Sequence, residues 1–315
     1  MTEQIEGERF YILGHPVAHS KSPVMYNTVY GQAGLPWTYD FADYAELDDA
    51  RTFLRERKFL SINITTPYKP LAYESATRKD PSAVLAQGAN VLVREGEGLV
   101  GYNTDGDGCV RFLELMGIDF ADKRVVICGT GPTALSIMHA CAVAGANTLM
   151  LLSRDAQRAR RVLEGYIERF GLLMSTSDGE EPGRNGHRSL REAYQVATFR
   201  FGSYEGAADA IARADIVINA TPLGMKAGDP APFATDLLHS EQVVMDAVYA
   251  AGRTKLVADA LAKGCTACNG GGMLVAQAVA TARIVTASQG VELALSDAEM
   301  FNTMADAAGF DCPRA

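Results

Sequence analysis

The chain alternates short apolar runs with amphipathic stretches. RFYILG, residues 9–14, predicts a strand that ends in a Gly-His-Pro turn. From Ser22-Pro23 a helical pattern runs to about Gly34. WTYDFADY and FLSINITT read as strands, with DDARTFLRER as a helix between them, and 83–90 reads as a helix end. NVLVRE and LVGYNTD flank the glycine-rich turn EGEG and predict a hairpin. Strands and helices that alternate in this way imply an α/β sheet.

A second unit is expected from about residue 106. DGCVRFLELMG is an amphipathic helix, and KRVVICGTGPTALSIMHACAVAGANTLMLLSR reads as strand, glycine turn, helix, strand. ADIVINATPLGM, EQVVMDAVY and CTACNGGG are further apolar strands, each ending in a polar or glycine-rich turn. This is a doubly wound pattern, which binds ligands at the carboxyl ends of its strands. The rhythm breaks between about 171 and 196, where SDGEEPGRNGH is polar and rich in Gly and Pro. That stretch is expected to be a mobile surface insertion, with His187 exposed. GGMLVAQAVATARIVTAS and SDAEMFNTMADAAG predict two closing helices.

With 315 residues, two domains are expected. A hydrophobic share of 48% excludes a disordered chain. A net charge of -9 argues against nucleic acid or an anionic membrane as partner. No apolar run reaches the roughly 18–20 residues of a membrane span, and the first residues lack the pattern of a signal peptide. The six cysteines are scattered, as expected of a cytoplasmic protein without disulfides. Cys265 and Cys268 form a C-x-x-C that reads as two small residues at a helix-to-strand junction. The five histidines lack ligand spacing, so no metal is expected.

Gly129-Thr130-Gly131-Pro132-Thr133-Ala134 is a G-x-G-x-x-A between a strand and a helix. The first Gly permits the tight turn, the second lets backbone approach a pyrophosphate, and the small third residue allows close packing. Helix N-terminal amides then face the phosphates. The next strand ends in Ser153-Arg154-Asp155. Arg154 favours a 2′-phosphate, hence NADP. Asp155 leaves NAD possible through a ribose hydroxyl, or else caps the helix from Ala156. Arg158 could assist at the phosphate or be a solvated helix residue.

Three more clusters carry chemistry: His19-Ser20-Lys21-Ser22-Pro23, Asn63-Ile64-Thr65-Thr66-Pro67-Tyr68-Lys69 and Asn103-Thr104-Asp105-Gly106. Singly they read as a helix cap, a surface lysine and a turn. Together, GHPVAHSKSP, NITTPYK, QGANVL, GYNTDG, INATPLGM and GGGMLVAQ resemble the shikimate dehydrogenase family, in its order and over nearly the whole chain.

The resemblance implies a discontinuous α/β substrate domain, 1–105 plus 272–315, and a Rossmann-type NAD(P)-binding domain, 106–271. It implies an NADP-dependent shikimate dehydrogenase of aromatic amino-acid precursor biosynthesis, acting on shikimate and 3-dehydroshikimate as a monomer or homodimer. Lys69 and Asp105 are the implied catalytic pair, and which of them is the base stays open. Ser20, Ser22, Thr65, Asn90, Tyr249 and Gln277 are implied to hold substrate. Asn219, Thr221 and Met273 are implied beside the cofactor.

His15, Val91, Ser153 and Gly270 stand where the family often has Asn, Thr, Asn and Asp. These departures keep open a quinate or quinate/shikimate dehydrogenase using NAD. A regulatory protein that binds nucleotide or metabolite without turnover is the alternative of another class. A binding module needs no proton-transfer lysine, so retention of Lys69 and Asp105 speaks against it.

Overall fold

A computed structural model of the chain describes residues 8–176, 187, 189–249 and 252–315. They form two compact units, Met1–Gly108 with Leu274–Ala315, and Cys109–Met273.

In the first unit, β1 (Arg9–Gly14) leads to α1 (Ser22–Gln32), β2 (Thr38–Asp43), α2 (Leu47–Glu56) and β3 (Ser61–Ile64). Then come α3 (Lys69–Ser75), β4 (Arg78–Lys79), α4 (Pro81–Ala86), β5 (Val91–Glu95) and β6 (Gly98–Tyr102). The sheet order is β2-β1-β3-β5-β6-β4. β1 runs parallel to β2 and β3, β5 runs antiparallel to β3, and β6 turns back again. The carboxyl ends of β1, β3 and β6 and the amino end of β5 therefore share one edge of the sheet. Leu13, Ile62 and Leu92 lie in the core on its strands, with Ala50 and Leu54 of α2 packed among them. Gly96 takes φ 57°, the positive value that the two-residue hairpin of β5 and β6 asks of its first residue.

β3 is shorter than FLSINITT suggests: it stops at Ile64, and Lys69 opens a helix instead of closing a strand. Pro70 suits the first turn of α3, where a missing N–H leaves no bond unmade.

The second unit takes up α5 (Asp105–Leu115), which begins in the first, then β7 (Arg124–Cys128), α6 (Pro132–Val143), β8 (Thr148–Ser153) and α7 (Ala156–Thr176). After these come α8 (Leu190–Val196), β9 (Thr198–Ser203), α9 (Ala208–Arg213), β10 (Ile216–Asn219), β11 (Val243–Asp246), α10 (Lys255–Ala262) and β12 (Thr266–Cys268). The chain returns to the first unit within α11 (Gly271–Ser288) and ends with α12 (Asp297–Ala308). All strand pairs of this sheet are parallel, in the order β12-β11-β10-β7-β8-β9. Connections leave β7 toward β8 on one side and reach β10 on the other. The β7/β10 boundary is thus the switch point of a doubly wound dinucleotide-binding sheet.

The expected insertion at 171–196 is corrected at both ends. α7 continues to Thr176, burying Leu163, Tyr166 and Phe170. Ser189 and Glu192 form a capping box that starts α8, an S-x-x-E signal present in the sequence. β9, unforeseen because its faces alternate weakly, pairs with β8 and sets Phe199 against Tyr166, ring centroids 5.7 Å apart. Residues 177–186 and 188, on which the expectation of mobility rested, lie outside the described residues. His187 is not exposed: its side chain is 21% accessible, and Nε2 lies 2.6 Å from Glu114 Oε1. Cys265 lies between α10 and β12, Cys268 ends β12, and all six cysteines are free thiols. Among the described residues no helix is long and apolar enough to cross a membrane.

Candidate active site

The shared sheet edge of the first unit gathers the chemistry. The loop after β1 brings Ser20 and Ser22, the turn after β3 brings Thr65 and Lys69, Asn90 precedes β5, and Asp105 follows β6. Strand direction accounts for this meeting of residues distant in sequence.

Lys69 and Asp105 are each the first residue of a helix. Lys69 Nζ donates to Asp105 Oδ2, with side-chain exposures of 17% and 3%, so the lysine is not a surface charge. The Asp105 backbone N–H donates to Asn103 Oδ1 at 3.1 Å, which fixes the start of α5. Asn90 is buried. Its Nδ2 lies 2.9 Å from Asp105 Oδ1, 2.9 Å from Thr104 Oγ1 and 2.7 Å from Gln277 Oε1. Its Oδ1 accepts the Thr104 N–H at 2.8 Å. Both Asp105 oxygens thus accept hydrogen bonds, and the carboxylate is held from two sides.

Ser20 Oγ accepts the Ser22 N–H and donates to Ser22 Oγ, both at 3.2 Å. The α1 cap position itself is Lys21, which makes no side-chain cap bond. Gly14 lies against Thr65, and a Cβ there would meet Thr65 Cγ2 at 2.4 Å. His15 is a paired loop residue: Nδ1 lies 2.7 Å from Asp43 Oδ1. Asp43 Oδ2 also accepts the Val17 N–H at 3.2 Å. The His15 hydrogen bond, followed by that amide, lowers the Asp43 carboxyl pKa. Val91 is fully buried on β5, where a hydroxyl would face the core.

In the second unit the glycine turn sits at the switch point. Gly129 takes φ +120°, and a Cβ on it would meet Ala220 O at 2.9 Å. Gly131 caps α6 with open space where a Cβ would stand, and Pro132 opens the helix. Thr133 follows Pro132 in the first turn, and buried Ala134 lets helix and strand pack closely. The turn offers an open cradle lined by backbone, which fits a dinucleotide pyrophosphate.

Ser153 ends β8, and its Oγ accepts the Asp155 N–H at 3.2 Å. Asp155 Oδ1 accepts the Gln157 N–H at 2.9 Å, so this carboxylate caps α7. Arg154 is exposed beside it. Arg158, four residues on, donates from Nε to Thr130 Oγ1 at 3.1 Å. That contact puts a guanidinium at the glycine turn.

Asn219 is fully buried and spent on its own turn. Its Nδ2 donates to Leu223 O and Asp246 Oδ1, both at 3.0 Å. Its Oδ1 accepts the Thr221 N–H at 3.0 Å and the Thr221 hydroxyl at 2.7 Å. Asn219 therefore shapes the loop after β10, leaving no side-chain atom to reach outward. Thr254 and Val248 also bond Asp246, whose burial nevertheless raises its carboxyl pKa. A Cβ on Gly270 would meet Ala247 O at 2.2 Å, which excludes a side chain there. Tyr249, half-buried after β11, and Met273, buried in the first turn of α11, belong to this second unit. Among the described residues no group of three His, Cys, Asp or Glu could hold a metal ion.

Comparison with known proteins gives one answer from three directions. Residues 12–92 match the family described as the shikimate dehydrogenase substrate binding domain. Shikimate dehydrogenase (NADP(+)) of Moorella thermoacetica is 34% identical over 272 residues, 85% of this chain and 84% of that one. Its counterpart from Rubrobacter xylanophilus is 34% identical over 289 residues, 90% and 93% of the two chains. The crystal structure of shikimate 5-dehydrogenase from Thermus thermophilus in complex with NADP(H) and shikimate is 26% identical. It superposes with a TM-score of 0.75, covering 95% of this chain and 99% of that one.

Proposed function

The chain belongs to the shikimate dehydrogenase family, and from that premise we propose that it is an NADP-dependent shikimate dehydrogenase. It interconverts 3-dehydroshikimate and shikimate, in aromatic amino-acid precursor biosynthesis. The observation that carries this reading is the Lys69–Asp105 pair, braced by Asn90 at the shared sheet edge. A protein that only binds ligand has no use for a sequestered lysine held on a carboxylate.

The substrate is assigned to the unit that carries Lys69, and the dinucleotide to the unit that carries the glycine turn. Gly129, Thr130, Gly131 and the first turn of α6 would hold the pyrophosphate. Arg154 and Arg158 would hold the 2′-phosphate of NADP. Asp155 Oδ1 is engaged at the α7 cap, and the two arginines support NADP over NAD. When bound, NADPH supplies a hydride to the carbonyl carbon, and NADP⁺ takes it back.

The protein's own part is the proton. In reduction, Lys69 Nζ donates a proton to the substrate oxygen as the C=O becomes C–O–H, and water reprotonates the amine afterwards. In oxidation a neutral Lys69 takes the hydroxyl proton. A positioned general acid or base of this kind contributes roughly 10²–10⁴-fold. Asp105 orients the amine. Ser20 and Ser22 offer neutral hydroxyl donors to the substrate carboxylate, and Thr65 and Gln277 offer further bonds to the substrate. This reading places the protein in the reducing cytoplasm, as a monomer or homodimer.

The test follows reduced-nicotinamide absorbance with shikimate or quinate against NADP⁺ or NAD⁺. Turnover favouring shikimate with NADP⁺ is expected. Preference for quinate or NAD⁺ would replace the substrate and cofactor assignment, and no turnover in any combination would refute the enzyme reading.

A further inference from the structure

The amide of Asn90 cannot be turned around. Its Oδ1 faces the Thr104 backbone N–H, which can only donate, and its Nδ2 faces the Asp105 carboxylate, which accepts. Two consequences follow from that fixed orientation. The Gln277 atom 2.7 Å from Nδ2 must be the acceptor Oε1, so Nε2 of Gln277 points away from Asn90. The Thr104 hydroxyl, 2.9 Å from Nδ2, must accept there and send its own proton elsewhere.

That proton has a destination. Thr281, one turn beyond Gln277 on α11 and 1% exposed, places Oγ1 3.4 Å from Thr104 Oγ1. The Thr281 hydroxyl donates to Gln277 O at 2.9 Å, so its proton is committed, and Thr104 is the donor between the two threonines. The bonds then run one way: Asn90 Nδ2 to Thr104, Thr104 to Thr281, Thr281 to the Gln277 carbonyl. The two Asn90 N–H groups serve three acceptors, Thr104 Oγ1, Asp105 Oδ1 and Gln277 Oε1, so one N–H is shared, and the contact with Gln277 Oε1 closes the ring.

We propose that Thr281 is a positioning residue: it closes this ring and so presents the Gln277 Nε2–H group as a donor to an oxygen of the substrate. The kinetic consequence rests on the reading that Gln277 holds the substrate. The geometric consequence does not. Without the Thr281 hydroxyl, Thr104 loses the acceptor that the ring gives its O–H. It turns that proton back toward the Asn90–Gln277 contact, and buried donors left unmade are costly enough to force a rearrangement.

Thr281→Val removes the hydroxyl at nearly constant volume, and Thr281→Ser keeps it. The expected result for Thr281→Val is a shikimate KM raised about tenfold, the size of one hydrogen bond of about 1.4 kcal/mol. Its KM for NADP⁺ stays unchanged, and kcat changes far less than the shikimate KM. Thr281→Ser restores the wild-type KM. In a Gln277→Ala background Thr281→Val adds nothing, because it acts through Gln277. An unchanged shikimate KM in Thr281→Val, or additive losses in the double variant, overturns the proposal.

A crystal structure of ligand-free Thr281→Val supplies the readout that does not depend on turnover. The ring predicts that Gln277 Oε1 leaves Asn90 Nδ2. An intact contact in that variant overturns the proposal whatever the enzyme oxidises. Absence of shikimate turnover by the wild type strikes the functional reading alone.

Discussion

Lys69 donates to Asp105 Oδ2 although 36 residues separate them, and each opens its own helix. Asp105→Asn keeps the shape and removes the charge that holds the amine. Its kcat is expected to fall by roughly 10²–10³ with a smaller change in shikimate KM, within the range of acid–base contributions. Steady-state kinetics check this. An unchanged kcat would mean that Asp105 does not orient the lysine.

Arg154→Ala and Arg158→Ala are expected to raise the KM for NADP⁺ by roughly 10-fold or more each, since a charge-assisted hydrogen bond contributes about 1.5–3 kcal/mol. The KM for NAD⁺, which lacks the 2′-phosphate, stays near its wild-type value. Equal losses toward both cofactors would place these arginines away from the 2′-phosphate. Arg158→Ala also frees Thr130, so its effect is expected to reach the glycine turn.

Gly14→Ala tests the packing beneath Thr65. The added methyl would stand 2.4 Å from Thr65 Cγ2 and 3.2 Å from Thr66 O. The threonine side chain can rotate, and that rotation moves its hydroxyl. A raised shikimate KM is expected, with a loss of stability of about 1–3 kcal/mol from overpacking. Thermal melts and kinetics on the same sample check both.

His139 on α6 gives a pH signature. Its Nδ1 lies 3.2 Å from the Tyr166 hydroxyl and its ring 6.2 Å from that of Phe170. Burial lowers its pKa to about 4. The folded value lies below the unfolded one of about 6.5, so below that pH the unfolded state binds the extra proton. The contribution is complete above about pH 6.5 and is lost as pH falls toward 4, by about 1–3 kcal/mol. Denaturant melts across this range are expected to show the loss in the wild type and a shallower slope in His139→Leu. Parallel slopes would contradict the assignment.

Much of the fold was legible because its strands are short apolar runs closed by Gly, Pro or Asn. β1, β7 and β10 read that way, β8 and β11 stood out as apolar runs although they end in Ser153 and Asp246, and the glycine turn announced the dinucleotide sheet. β9 was missed because TFRFGS lies at a sheet edge, where Phe201 is exposed and the exposed and half-buried positions do not alternate cleanly. The tail of α7 was missed because the polar stretch after it dominated the composition, although Leu163, Tyr166 and Phe170 keep helical spacing.

Of the site, residue types and motif order pointed to Lys69, Asp105, Asn90 and Gln277. What one sequence cannot show is which atom faces which. Asn219 is implied beside the cofactor by its motif, and the sequence does not show that four internal bonds occupy its amide. For Arg158 the sequence leaves phosphate and solvent both open, and the fold sets its exposed side chain against Thr130. Thr281 carries no motif at all, and only the return of α11 beside Asn90 reveals its place.

The most direct measurement compares kcat for shikimate oxidation with NADP⁺ in the wild type and in Lys69→Met, which keeps the length of the side chain and removes the amine. The account predicts turnover by the wild type and a fall of roughly 10²–10⁴-fold in the variant. It also predicts NADP⁺ affinity within about threefold of wild type in the variant. A Lys69→Met enzyme that keeps kcat within about threefold of the wild-type value would contradict the assignment of proton transfer to Lys69.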